Sequence, residues 1–259
     1  MYKFPPGLYV DVRIEETFDT KISFKKLTLQ EQKIRNNKGA FIRVFDGQRW
    51  YYSSTTDIEG IQGQIDTLAA MATPNPSILD HPIVQAFEVH QETKLEHEND
   101  SVTTITPGAK QALLEGYLTL IQDPAIVHHS SYYVDNKTIK TFYSSKSSAI
   151  TFDKQTCGIR LTLELACGDN KDQTTVSKAA INFAGLQGIE EFISQEIQKD
   201  IAFTRDGEPV VPGEYPVLLS PDATGVFTHE SFGHKSESDF MVGDEAMRAE
   251  WAMGKEIGA

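Results

Sequence analysis

Two-residue alternation over the first fifty positions constrains this chain more than any other feature. "YVDVRIEE" and "TKISFKKLTL" switch between apolar and polar at every step, the period of a strand with one buried and one wet face. "RNNKGAFIRVFDGQRWYYSS" continues with β-branched and aromatic runs. Turns are expected at Asn36-Asn37-Lys38-Gly39 and at Asp46-Gly47. A sheet built this way needs a cover on one face. Residues 57–72 supply it, because Ile58, Ile61, Ile65, Leu68 and Ala72 recur near helical spacing after Asp57, which can cap a first turn.

Residues 73–105 read as a polar, irregular connection with one strand in "IVQAFEVH". A second helix is expected from Pro107, a residue suited to a first turn, through Leu113, Tyr117, Leu120 and Ile121. Strands return in "AIVHHSSYYVD", "KTIKTFYSS", "SAITFDK", "GIRLTLELAC" and "QTTVSKAAINF", with turns at Asp135-Asn136 and Gly168-Asp169-Asn170. A third helix, "IEEFISQEIQKDIAF", aligns Ile189, Phe192, Ile193, Ile197 and Ile201 in one stripe. Hairpin-linked strands outnumber strand-helix-strand alternations, so the fold class is α+β: antiparallel sheets packed with helices. "TRDGEPVVPGEYP" marks a boundary. It divides an N-terminal α+β domain, 1–205, which can be split at 105/106 into two sub-regions, from the beginning of a second domain at 206–259. That second part opens with a short strand, "PVLLS", a turn at Pro221-Asp222, and a helix.

The helix carries "GVFTHESFGH". Two imidazoles are good zinc ligands, and a neighbouring glutamate can exchange protons with water, so His229, Glu230 and His234 are the parts of a metallohydrolase. The spacing is unusual. On a regular helix residues five apart diverge by about 140°, against about 40° for residues four apart. Convergence therefore needs a π-type widening or a break, and Gly233 is the residue that best tolerates either. In the same register Glu230 and Glu237 lie in the arc between the histidines. On spacing alone the pattern equally fits a helix with two half-exposed histidines, since the chain has 7 histidines and abundant glutamates.

The surrounding residues resemble a known family. "YPVLLSPDATGVFTHESFGHKSESDF" is similar to the catalytic segment of the TldD/PmbA metallopeptidases: an apolar strand, Ser-Pro, a small-residue turn, His-Glu-x-x-x-His, then Glu-x-Asp. "VDVRIEE" and "NNKGAFIRVFDGQRWYYSST" resemble the family's early strands. The resemblance implies that His229 and His234 are zinc ligands and Glu230 the general base. It leaves Glu237 and Asp239 to orient a ligand or hold the distorted helix. It also implies a third ligand, a cysteine in a C-terminal β-rich domain. No residue of this chain matches that cysteine, and the expectation is of a truncated version of a longer protein that binds zinc weakly or not at all by itself. The full-length protein is then expected to cleave unfolded or extended peptides, as a homodimer or as a heterodimer with a paralogous subunit. The alternative is a non-enzymatic dimerisation or interaction module with a remnant metal motif.

Composition narrows the partners. A net charge of −13 without a basic cluster argues against nucleic acid and anionic membranes. The first residues lack the pattern of a secretory signal, no apolar run approaches the roughly 18 residues of a spanning helix, and a cytoplasmic protein is expected. Cys157 and Cys167 share one strand-like stretch, about 33 Å apart if extended, and are expected to be free thiols. His128 and His129, adjacent in a strand, point to opposite faces and cannot chelate together.

Overall fold

A computed structural model describes residues 2–256. The chain divides into two compact units, Met1–Gly207 and Glu208–Ala259. The first is built on one sheet of seven strands: β1 (Tyr9–Lys25), β2 (Thr28–Phe45), β3 (Trp50–Thr55), β4 (Gln91–Lys94), β5 (Ile126–Ser144), β6 (Ala149–Cys167) and β7 (Asn170–Ala180). Their order is β3-β2-β1-β5-β6-β4, with β7 also on β6. Every pair is antiparallel except β4 with β6. Strands from either side of residue 105 thus share one sheet.

The period of two sorts the strand residues. Val10, Val12, Ile42 and Val44 meet Ile61, Ile65 and Leu68 of α1 (Ile61–Met71). On the same face, Ile22, Phe24, Leu161, Leu163 and Leu165 pack with two further helices. These are α3 (Pro107–Leu118), which follows the one-turn α2 (Pro82–Gln85), and α4 (Glu190–Asp206). On the opposite face, among the described residues of this unit, one end is covered, where Tyr9 and Phe45 meet Ile78 and Val84. Each fully buried aliphatic side chain contributes about 1.5–3 kcal/mol. The architecture is α+β, as the alternation and hairpins imply.

Several local expectations give way to pairing. Asn36–Gly39 makes no turn: β2 runs straight through it, each residue opposite one of β1, and the hairpin closes at Lys26-Leu27, where Lys26 takes φ 52°. Asp135-Asn136 makes no turn either. Asp135 is fully buried and accepts from Lys110 Nζ at 2.6 Å, Tyr133 Oη at 2.7 Å and the Thr20 amide at 3.1 Å, while β1 and β6 pair β5 on both sides. Residues 83–90 form no strand; α2 occupies their start, and the strand is Gln91–Lys94 beyond them. The helix after Asp57 begins later than expected, Asp57 accepting the Gly60 amide just before it. "PVLLS" remains extended chain without a strand, because no neighbour offers it a ladder among the described residues.

Candidate metal centre

The second unit contains α5 (Pro221–Thr228), a π turn at His229–Gly233, a 3₁₀ turn at His234–Ser236 and α6 (Glu245–Glu250). α5 takes in Pro221 and Asp222 in place of the expected turn: Ser220 accepts the Ala223 amide at 3.2 Å, and Pro221 fills the first helical turn, where its missing N–H costs nothing. Near its end Thr228 and Ser231 donate back to the carbonyls of Thr224 and Phe227 at 2.9 and 2.7 Å. Such back-bonding loosens a helix. The His234 amide then bonds the His229 carbonyl, five residues back, which is the π hydrogen bond itself.

The widening brings His229 and His234 onto one side. Their ring centroids are 4.4 Å apart and inclined by 63°. One ligand atom from each of His229, Glu230 and His234 lies within 4.8 Å of the other two. Glu230 Oε2 is 3.6 Å from His234 Nε2. Glu237 plays a different part from the one its angular position suggests: its Oε1 lies 2.7 Å from His234 Nδ1. That contact holds the proton on Nδ1 and presents Nε2 as a lone pair, the outer-shell arrangement that orients a ligand imidazole. Asp239 stands outside the group, exposed, with its carbonyl taking the Val242 amide.

Gly233 has a role that spacing did not disclose. Its backbone, φ −57° and ψ −55°, is ordinary helix that any residue adopts. What glycine provides is room, because a Cβ there would stand 3.2 Å from His229 Nδ1 and 3.6 Å from Cγ. A second missed contact is Phe232 against Trp251, centroids 5.1 Å apart, which ties the π turn to the end of α6. No periodicity links those two aromatics. The donor set of two imidazoles and a carboxylate, converging with one ring already oriented, fits a zinc ion. Among the described residues the group includes no cysteine. Cys157 and Cys167 belong to the first unit and are free; burial pushes the Cys157 thiol up to about 11, which makes it an inert packing residue.

Residues 10–72 match the model of the PmbA/TldA metallopeptidase domain 1. A zinc metalloprotease TldD homolog of Saccharolobus solfataricus is 31% identical over 121 residues, 45% of this chain and 26% of that protein. A metalloprotease of Synechocystis is 21% identical over 96% of this chain and 54% of its own length. The chain therefore spans about half the length of the relatives it matches from end to end. The fold is shared with a crystal structure from Thermotoga maritima, TM-score 0.62 at 11% identity, covering 80% of this chain and 46% of that one. It is shared also with TldE from Thermococcus kodakarensis, TM-score 0.54 at 11% identity, covering 75% and 44%. Over residues 10–72 the chain matches the first domain of the PmbA/TldA metallopeptidases, and over 96% of its length, distorted helix included, it is similar to curated metalloproteases.

Proposed function

We propose that this chain carries the ligand helix of a zinc-dependent peptidase acting on unfolded or extended peptides. The observation that supports it most is the π turn, which turns a five-residue spacing that should separate two imidazoles into one that joins them beside a carboxylate. His229 and His234 would hold the zinc. When bound, the ion supplies Lewis acidity toward a peptide carbonyl and makes water easier to deprotonate. Glu230 is the general base and then the acid: its exposed carboxylate takes a proton from the attacking water and returns it to the leaving amine. Glu237 acts through His234, fixing its tautomer and ring plane.

A homodimer, or a heterodimer with a paralogous subunit, is the proposed assembly. Two free thiols support a cytoplasmic place of work, and no helix of the described residues is long and apolar enough to cross a membrane. A catalytic zinc ordinarily has three protein ligands. With Glu230 kept as base this group offers two, so the chain alone should hold zinc weakly.

The deciding experiment compares Glu230→Gln with His229→Ala, in zinc titrations of this chain and in peptidase assays on a version extended beyond residue 259. The amide should leave zinc affinity within about twofold while activity falls by about 10²–10⁴; the alanine should remove both. If Glu230→Gln loses zinc as severely as His229→Ala, the carboxylate is a ligand. Were the chain only an interaction module, the extended version would show no peptidase activity for either substitution to remove; cleavage undiminished by Glu230→Gln would mean the assigned base is wrong.

A further inference from the structure

The first unit leaves a long sheet edge free along β2. β3 pairs β2 only from Ala40 to Phe45, and among the described residues no other strand pairs that side of β2; a bulge at Gln30, where the register with β1 shifts between Ser23 and Phe24, interrupts the far end, so residues 31–39 present a regular unpaired edge roughly 30 Å long. Nearly every side chain along it is exposed. Proteins usually shorten, bulge or cover such an edge. Here it runs on well past the end of β3.

We propose that this edge takes up an extended, acidic segment of another polypeptide as an added strand. The charges point to the occupant. Lys33 and Arg35 project to the same face, opposite Lys21 and Asp19 of β1. Glu31 is engaged by Lys21 at 2.7 Å, and that bond together with Lys33 and Arg35 holds its carboxyl below the ordinary range. Lys33 and Arg35 themselves have no carboxylate within ion-pair distance among the described residues, nor do Arg13, Lys154 and Arg160 on the same open face. In a chain of net charge −13, these five cations without carboxylate partners share one sheet face. Ile34, between Lys33 and Arg35, turns to the other face and stays 43% exposed.

An incoming strand places its side chains about 5 Å from those of β2. The matching pattern is therefore two carboxylates at alternate positions with a β-branched residue between them, of the form Glu-Val-Glu. A second copy of this chain paired antiparallel about Ile34 fits poorly, because that register sets Lys33 against Arg35. Nucleic acid fits poorly too: an open strand edge alternates N–H and C=O groups, and a phosphate backbone answers only the N–H groups. The surface is independent of the metal centre, since it uses only residues of the first unit.

Fluorescence anisotropy of a labelled peptide with a central Thr-Glu-Val-Glu-Thr, titrated with the full chain, tests the assignment. The peptide should bind at least about tenfold more tightly than its Lys-for-Glu counterpart, and Lys33→Glu with Arg35→Glu should reverse that preference. Both side chains are exposed, so circular dichroism should show the variant folded. N-methylation of alternate amides in the Glu peptide should weaken binding about tenfold on the unchanged chain, because it removes ladder bonds and keeps the charge. The assignment is overturned by equal binding of the Glu and Lys peptides, or by an undiminished N-methylated peptide. Preferential binding of oligo(dT) at the same side chains, or self-association that the double reversal abolishes, would overturn it as well.

Discussion

Replacing Gly233 with alanine separates two reasons a glycine could stand before the second histidine. Were glycine needed for backbone freedom, alanine would strain the π turn. The backbone at 233 is regular helix, so the substitution should instead favour helix by about 0.5–1 kcal/mol. The cost falls on the ring. A methyl 3.2 Å from His229 Nδ1 is closer than ordinary contact, and the imidazole must yield by a few tenths of an ångström. Metal–ligand distances tolerate about 0.2 Å, and the far nitrogen of a ring turning about its Cα–Cβ bond moves further than the near one. Zinc affinity should therefore drop about tenfold, the size of effect seen when a ligand's supporting contacts are lost. Zinc titrations followed through the NMR signals of the two imidazoles report the affinity, and far-UV circular dichroism reports the helix. Unchanged affinity within about twofold, or a loss of helix, would refute the reasoning.

Glu237→Ala should weaken zinc binding about tenfold without loss of helix, and ring ¹⁵N shifts of His234 should show Nδ1 losing its proton preference; an unmoved tautomer would count against the positioning role. Lys110→Met strands a fully buried Asp135 and should cost about 3–5 kcal/mol in urea unfolding, with much of it restored when Asp135 is replaced by Asn; a loss under about 1 kcal/mol would mean the pair carries no such burden. His129 is held below its ordinary pKa by burial, with His128 and Lys26 adding to the effect. The folded state therefore binds its proton less readily than the unfolded one, so its contribution to stability is present above the ordinary histidine range and is lost as pH falls through it. Between about pH 7.5 and about pH 5.5, the unfolding midpoint of His129→Leu should fall less than that of the parent chain; parallel pH profiles would remove His129 as the cause.

Much of the molecule was legible before any tertiary structure. Alternation revealed most of the strands, and helical spacing revealed α1, α3 and α4. The His-Glu-x-x-x-His spacing demanded a distorted helix, which the π turn supplies. These are local effects, written in residues that are neighbours along the chain.

What the tertiary structure decided concerns partners distant in sequence. Asn36-Asn37-Lys38-Gly39 and Asp135-Asn136 have turn chemistry, yet β1 pairs straight across both, since continuous ladders and a buried Lys110–Asp135 contact outweigh a local preference of a few tenths of a kcal/mol. The reason for Gly233 was equally hidden. Spacing shows that a backbone must deform; only the placed ring of His229 shows that the deformation leaves no space for a side chain. A sequence states which residues can adopt a conformation, whereas excluded volume and buried charge, which select among them, exist only between atoms the fold has brought together.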